Sequence, residues 1–217
     1  LAAAFELFAR IKKPENQKPF SQLVEELRLA RTPASGHLTC YPDELKVLSA
    51  EETFDRLKDS PILLFRDEHG GEPFQIMNIP VLNLPFGELN QAWACADQQQ
   101  AGQLARKWWH GASFIQGVSW SEVVNSAAMY LGLKSLLDKY RARAVTVNCL
   151  GGFYGAHIHA YPCLGFYELN NQGLVGACEA DLRSTATMTA FGLMTGGRPG
   201  YISDPVIDLS KRRIIYA

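Results

Sequence analysis

The sequence predicts an α/β fold: a three-layer α/β/α domain around a mostly parallel, Rossmann-like sheet. Three observations point there. Ala144-Val145-Thr146-Val147-Asn148-Cys149-Leu150 is uncharged and rich in β-branched residues, the composition of a strand buried on both faces. It follows the clearest helical pattern in the chain, whose apolar set is Val123, Val124, Ala127, Ala128, Leu131, Leu133, Leu136 and Leu137. The third is the stretch from Val175 to Asp204. An apolar run ends in Glu179-Ala180-Asp181, a helix-length segment follows, then Gly196-Gly197, and a second short run reaches Asp204-Pro205. This reads as strand, acidic turn, helix, tight loop, strand, acidic turn. With a right-handed crossover, both acidic turns fall at the edge where open α/β sheets bind ligands.

The remaining elements are justified in order. Residues 1–12 carry Leu1, Phe5, Leu7, Phe8 and Ile11 at roughly helical spacing and stop before Pro14. A second helix opens at Pro19-Phe20-Ser21 and runs to Thr32-Pro33. Residues 33–45 read as loop, with a short strand at His37–Tyr41. Ser49 with Glu52 forms a capping-box pattern ahead of Leu57. Pro61–Phe65 reads as a buried strand, Asp67–Gly71 as a turn, and Phe74–Met77 as the start of the next element. The prolines around Ile79, Val81 and Leu82 confine that piece to a strand start or an edge. Glu88, after an apolar run, is either a cleft or a surface residue. One helix is expected over Ala92–His110, with Trp108 and Trp109 packing, and Phe114–Val118 as a short strand or the chain's approach to one. Ser119 or Ser121 caps the long helix, and Lys134, Lys139 and Arg141 suit its C-terminal dipole. Gly151-Gly152 is expected to end the Ala144 strand, either as a plain turn or to admit a ligand close to backbone. Cys163–Leu169 is expected to be a strand, turning at Asn170–Gly173 into a hairpin with Leu174–Cys178.

Composition limits the function classes. The 217 residues are 47% hydrophobic and 20% charged, which fits a packed globular chain. A net charge of -1 gives no argument for nucleic acid or an anionic membrane surface as partner. The five cysteines are scattered without a CxxC pair. Buried free thiols in a reducing compartment are the expectation. No apolar run reaches membrane-spanning length, and Leu1–Arg10 does not read as a signal peptide. Both ends read as cut from something longer, because Ile214-Ile215-Tyr216-Ala217 stops within a strand-like run.

The candidate site residues follow from the acidic turns. Glu179 and Asp204 at one sheet edge could hold a hard divalent cation or work as acid and base; as alternatives they are ordinary turn residues. Asp181 either supports that site or caps the next helix. His157 and His159 would share a face of an extended segment, as a metal-like pair or as plain surface residues. Arg183 and Arg198 either favour an acidic substrate or are surface charge.

Asn148-Cys149-Leu150, Pro162-Cys163-Leu164, Ala177-Cys178-Glu179-Ala180-Asp181, the Leu193–Pro199 loop and Ile202-Ser203-Asp204-Pro205 together resemble the L-fucose and L-arabinose isomerase superfamily. The resemblance covers Ala144–Tyr216 firmly, extends weakly back to Phe86, and is absent from the first 60 residues. It is nearest to a sugar-isomerase-like branch rather than to the fucose or arabinose enzymes. It implies a middle domain over residues 1–182, then a linking helix and the first strands of a truncated C-terminal domain over 183–217. It places metal ligands at Glu179 and Asp204, with a third ligand, a histidine, beyond Ala217. It further implies manganese, with magnesium as the alternative, aldose–ketose interconversion of a monosaccharide through an enediolate, a cytoplasmic setting, and a homo-oligomer, trimer or hexamer. Two other readings stay open: a non-catalytic carbohydrate-binding or oligomerisation domain, and a metal-dependent epimerase or lyase acting on a sugar acid.

Overall fold

The structure is a computed structural model that describes residues 46–201 and 205–216. The expected N-terminal helices, the 33–45 loop, Cys40 and Asp204 lie outside the described residues. Residues 45–202 form one compact unit, and the terminal hairpin belongs to another.

Helix α1 (Ala50–Leu57) starts as the sequence indicates: Ser49 and Glu52 close a reciprocal capping box. Strand β1 (Ile62–Phe65) is buried along its whole length. It sits at the centre of a five-stranded sheet with β2 (Phe74–Ile76), β3 (Ile79–Leu84), β4 (Ala144–Val147) and β5 (Val175–Cys178), in the order β2-β3-β1-β4-β5. β1 runs parallel to β3 and β4, β4 runs parallel to β5, and only the edge strand β2 is antiparallel. The α/β class read from the sequence is therefore the observed one.

The period-2 alternation of the central strands makes the three layers. Leu63, Phe65, Val145 and Val147 face one core, with Phe86 and Leu89 of α2 (Phe86–Ala94), Met129, Leu133 and Leu137 of α4 (Trp120–Tyr140), and Phe166 and Leu169 of α6 (Cys163–Asn171). Ile62, Leu64 and Ala144 face the other, with Leu57 of α1 and Ala186 and Met188 of α7 (Leu182–Met194). Helix α3 (Gln98–Gly111) packs Ala101 and Ala105 on Val123, Ala127 and Ala128 of α4. Glu88 is a structural residue rather than a cleft one. Its Oε1 accepts from Lys139 Nζ at 2.6 Å and from the Tyr140 hydroxyl at 2.7 Å, tying α2 to the end of α4.

Several local expectations are corrected. The helix expected over Ala92–His110 is two helices, because Asp97 caps α3 by accepting from the backbone N–H of Gln99 and Gln100. Phe114–Val118 is an irregular exposed connection, not a strand. Gly151-Gly152 does not end a strand. Asn148 leaves β4 and caps a short helix, α5 (Cys149–Tyr154), accepting from Gly151 N–H at 3.2 Å. Cys163–Leu169 is helical: burial of Phe166 and Leu169 follows a three-residue step, and Pro162 suits a helix start. α6 therefore leads into a parallel β5, and no hairpin forms there. Helix α7 lies in the same compact unit as the sheet, so the unit runs past the boundary expected at 182/183. Cys149 is buried and Cys178 half-buried, but Cys95 and Cys163 are exposed, against the expectation of buried thiols.

After α7 no described strand joins the parallel sheet. Strands β6 (Pro205–Asp208) and β7 (Arg213–Tyr216) form a separate antiparallel pair. The expected parallel neighbour for β5, ending at Asp204, is thus not among the described elements.

Candidate functional site

The sheet topology singles out one place. The chain passes from β1 outward to β3, then crosses back to β4 on the other side of β1. The crevice beyond the carboxyl ends of β1 and β4 is therefore the topological switch point, where open α/β sheets take their ligands. A cavity of about 260 Å³ opens there, lined by Arg66, Asp67, Glu68, His69, Phe86, Asn148, Gly151 and His157.

Each wall has a local cause. Asn148 clips the two strand ends together: its N–H donates to Phe65 O at 2.8 Å and its side-chain Nδ2 to Arg66 O at 3.1 Å. Asp67 folds the loop after β1 by accepting from His69 N–H and Gly70 N–H, each at 2.9 Å. Those backbone donors hold its carboxyl below the usual aspartate range. His157 reaches the cavity because its N–H donates to Gly152 O at 2.7 Å and its carbonyl accepts from Asn90 Nδ2 at 2.6 Å. The imidazole stacks on Phe86, with centroids 6.1 Å apart and planes at 17°. Its Nδ1 lies 2.8 Å from Glu68 Oε1.

The second feature is the turn after β5, one strand over. Glu179 and Ala180 both have left-handed backbone, φ 64° and 54°, which is costly for non-glycine residues. Asp181 N–H closes the turn onto Cys178 O at 3.2 Å, and Ala180 N–H donates to Val147 O at 3.1 Å. Asp181 is the α7 cap: it accepts from Arg183 N–H and Ser184 N–H, each at 3.0 Å. Ser184, through its hydroxyl and its N–H, holds the Asp181 carboxyl below its ordinary value. Glu179 is exposed, and its carboxylate takes no hydrogen bond or ion pair among the described residues.

Cys149 and Cys178 stand just past the end of β4 and at the end of β5, next to this turn, and influence each other. The Cys178 thiol donates to Cys149, with help from Glu179 N–H and Leu150 N–H, and lowers the Cys149 pKa to about 6. The same contact pushes Cys178 up.

The structure sorts the sequence-based candidates. Glu179 stands at the expected sheet edge, and Asp204 lies outside the described residues. Asp181 is a helix cap. His157 lines the switch-point cavity, whereas His159 is exposed and tilts against Trp93 at 5.8 Å, so the two do not act as one pair. Arg183 and Arg198 are exposed, in the first turn of α7 and beyond its end. Arg66 and Glu68 escaped sequence reasoning. The available signal was a charged run, Arg66-Asp67-Glu68, directly after the most apolar strand. For a divalent cation, Glu179 offers one hard oxygen donor, and no group of three or more His, Cys, Asp or Glu that could hold a metal occurs among the described residues. No described helix is long and apolar enough to cross a membrane. A scan against protein-family models finds no match, and a search of curated proteins finds none either.

Proposed function

We propose that the chain is part of a metal-dependent aldose–ketose isomerase acting on a monosaccharide, with its chemistry at the carboxyl edge of the sheet. One observation carries the reading. Glu179 is held in a strained left-handed turn at that edge, exposed and unengaged, while its neighbour Asp181 does the structural work of capping. Strain retained at a site with no structural use for the side chain points to function. Glu179 would offer its carboxylate oxygens to manganese, or magnesium, and the resemblance names Asp204, outside the described residues, as a further ligand. When bound, such a cation stabilises the charge of an enediolate. Glu179 would also carry a proton between neighbouring carbons. The resemblance to the fucose and arabinose isomerases supports the same residues.

The test is proton exchange. Full-length protein is stripped of metal, manganese is restored, and deuterium incorporation from heavy water is followed over aldoses, ketoses and sugar acids. Metal-dependent exchange into an aldose–ketose pair is expected, and Glu179→Gln abolishes it. Exchange at the parent rate in that variant removes Glu179 from the chemistry, and exchange only into sugar acids favours the epimerase or lyase reading.

A second reading, a non-catalytic carbohydrate-binding or oligomerisation domain, has its own observation. Phe114, Ile115, Val118 and Leu164 are exposed around an apolar hollow of about 420 Å³ floored by Trp108 and Trp109. Sugar binding with no exchange under any metal would select it. The proposed homo-oligomer, trimer or hexamer, and the cytoplasmic setting belong with the isomerase reading.

A further inference from the structure

We propose that the cavity at the β1/β4 switch point is a metal-independent subsite for neutral monosaccharides and polyols, held by Arg66, Glu68 and His157 against the Phe86 ring. The inference deepens the proposed function by saying where substrate hydroxyls are held, and it stands without the metal.

The class of ligand follows from the lining. A sugar hydroxyl donates and accepts at once, so it is matched by a mixed set of partners. Arg66 offers only donors and Glu68 only acceptors, and the imidazole of His157 lines the same wall with its Nδ1 2.8 Å from Glu68 Oε1. Phosphate fits poorly, because the Asp67 and Glu68 carboxylates share the wall with Arg66. An apolar ligand fits poorly, because Phe86 is the only apolar side chain in the lining. The volume of about 260 Å³ is below the roughly 300 Å³ at which drug-sized pockets begin, and so suits a small molecule.

The site is also pre-organised, which lowers the cost of binding. The His157 ring is fixed on three sides: by Phe86, by Glu68, and through its own backbone by Asn90 and Gly152. Gly155 packs closely against the remaining edge. A Cβ there would fall against His157 Cδ2 and Nε2. Its backbone, at φ -83° and ψ -4°, is one that any residue adopts. The requirement for glycine is therefore the close seating of the imidazole on it, not conformation, and a Cβ there would displace the ring.

The experiment is saturation-transfer NMR on the full-length protein in chelator, with L-fucose, L-arabinose and galactitol as probes. Saturation transfer to at least one neutral probe is expected in the parent. Both His157→Ala and Gly155→Ala should weaken it at least tenfold, with unchanged circular dichroism. Gly155→Ala is a small change at an exposed position, so it reads the site if His157→Ala folds poorly. Absence of binding by every neutral probe, equal binding by parent and variants, or binding of inorganic phosphate alone would each overturn the inference. Glu179→Gln separates the two proposals. It should leave this binding intact while abolishing metal-dependent exchange. Binding that persists when exchange is never seen sinks the isomerase reading alone, and exchange without this binding sinks the subsite alone.

Discussion

Adding one methyl group at Gly132 tests the packing that positions the site. Gly132 is in the middle of α4, where it lies against the backbone of α2. A Cβ there would meet Ala92 C and Trp93 N at 2.8 Å and Ala92 O at 3.0 Å. Two effects oppose each other in Gly132→Ala. Helix propensity favours alanine by about 0.8–1.0 kcal/mol. Overpacking costs about 1–3 kcal/mol, and the neighbours here are main-chain atoms that cannot rotate away. The contact term wins, and a net loss of about 1 kcal/mol is expected. Gly102→Ala in α3 is the control, since a Cβ there meets nothing within 4 Å. Only the propensity term acts on it, so it should gain up to about 1 kcal/mol. For a chain of this length each kcal/mol moves Tm by about 2–4 °C. All 4 tryptophans, Trp93, Trp108, Trp109 and Trp120, lie in the sheet-bearing unit, so fluorescence-detected urea and thermal unfolding report on that unit. The two variants should move in opposite directions. Stabilisation by Gly132→Ala, or the same sign in both, would refute the close α2–α4 approach. That approach also matters to the site, because α2 carries Asn90, which holds the His157 carbonyl.

Three further outcomes follow from named contacts. Asp181→Ala should cost about 1 kcal/mol at neutral pH through loss of the α7 cap. Because the folded-state pKa of Asp181 is lowered from its ordinary 3.8, the cap's contribution is present above that pH and fades as the pH falls below it, so parent and variant stabilities should converge in acid. Glu179→Gly should raise stability by about 0.5–1 kcal/mol in urea unfolding: relief of left-handed strain, about 1–2 kcal/mol, exceeds the added unfolded-chain entropy. It should lose metal-dependent exchange at the same time, and a destabilised Glu179→Gly would show that the turn is not strained. Trp108→Phe removes the 2.8 Å hydrogen bond to the buried Glu168 carboxylate and leaves it only Lys107 at 3.4 Å. A loss of about 1.5–3 kcal/mol is expected by the same unfolding assay, against little change for Glu168→Gln, which keeps its acceptor.

Legibility from sequence followed signal type. β1 and β4 were readable because fully buried parallel strands are uncharged and β-branched. α1 was readable from its Ser49/Glu52 capping-box pattern and α4 from its long apolar set, and the structure settles the α4 cap on Ser119 with Glu122. Cys163–Asn171 was not, since a short apolar run fits a strand and a buried helix alike. Its Phe166 and Leu169 burial is set by the sheet and α4 rather than by the run itself. Gly151-Gly152 suggested a turn, but the Asn148 cap keeps the pair helical. At the site, Glu179 was legible because an apolar strand ran straight into it. The Glu68–His157 contact was not, because it joins loops after β1 and after α5, and only strand order brings them together. The strand expected to lead into Asp204 falls on residues outside the described ones, and the described chain after them forms the β6–β7 hairpin.

The central claim, that Glu179 grips a divalent cation at the sheet edge, is tested most directly by metal binding itself. Full-length protein is titrated into manganese while the sharp EPR signal of the free ion is followed. The parent should deplete that signal, and Glu179→Gln should weaken binding at least tenfold with its fold intact. Equal depletion by the two proteins would contradict the claim.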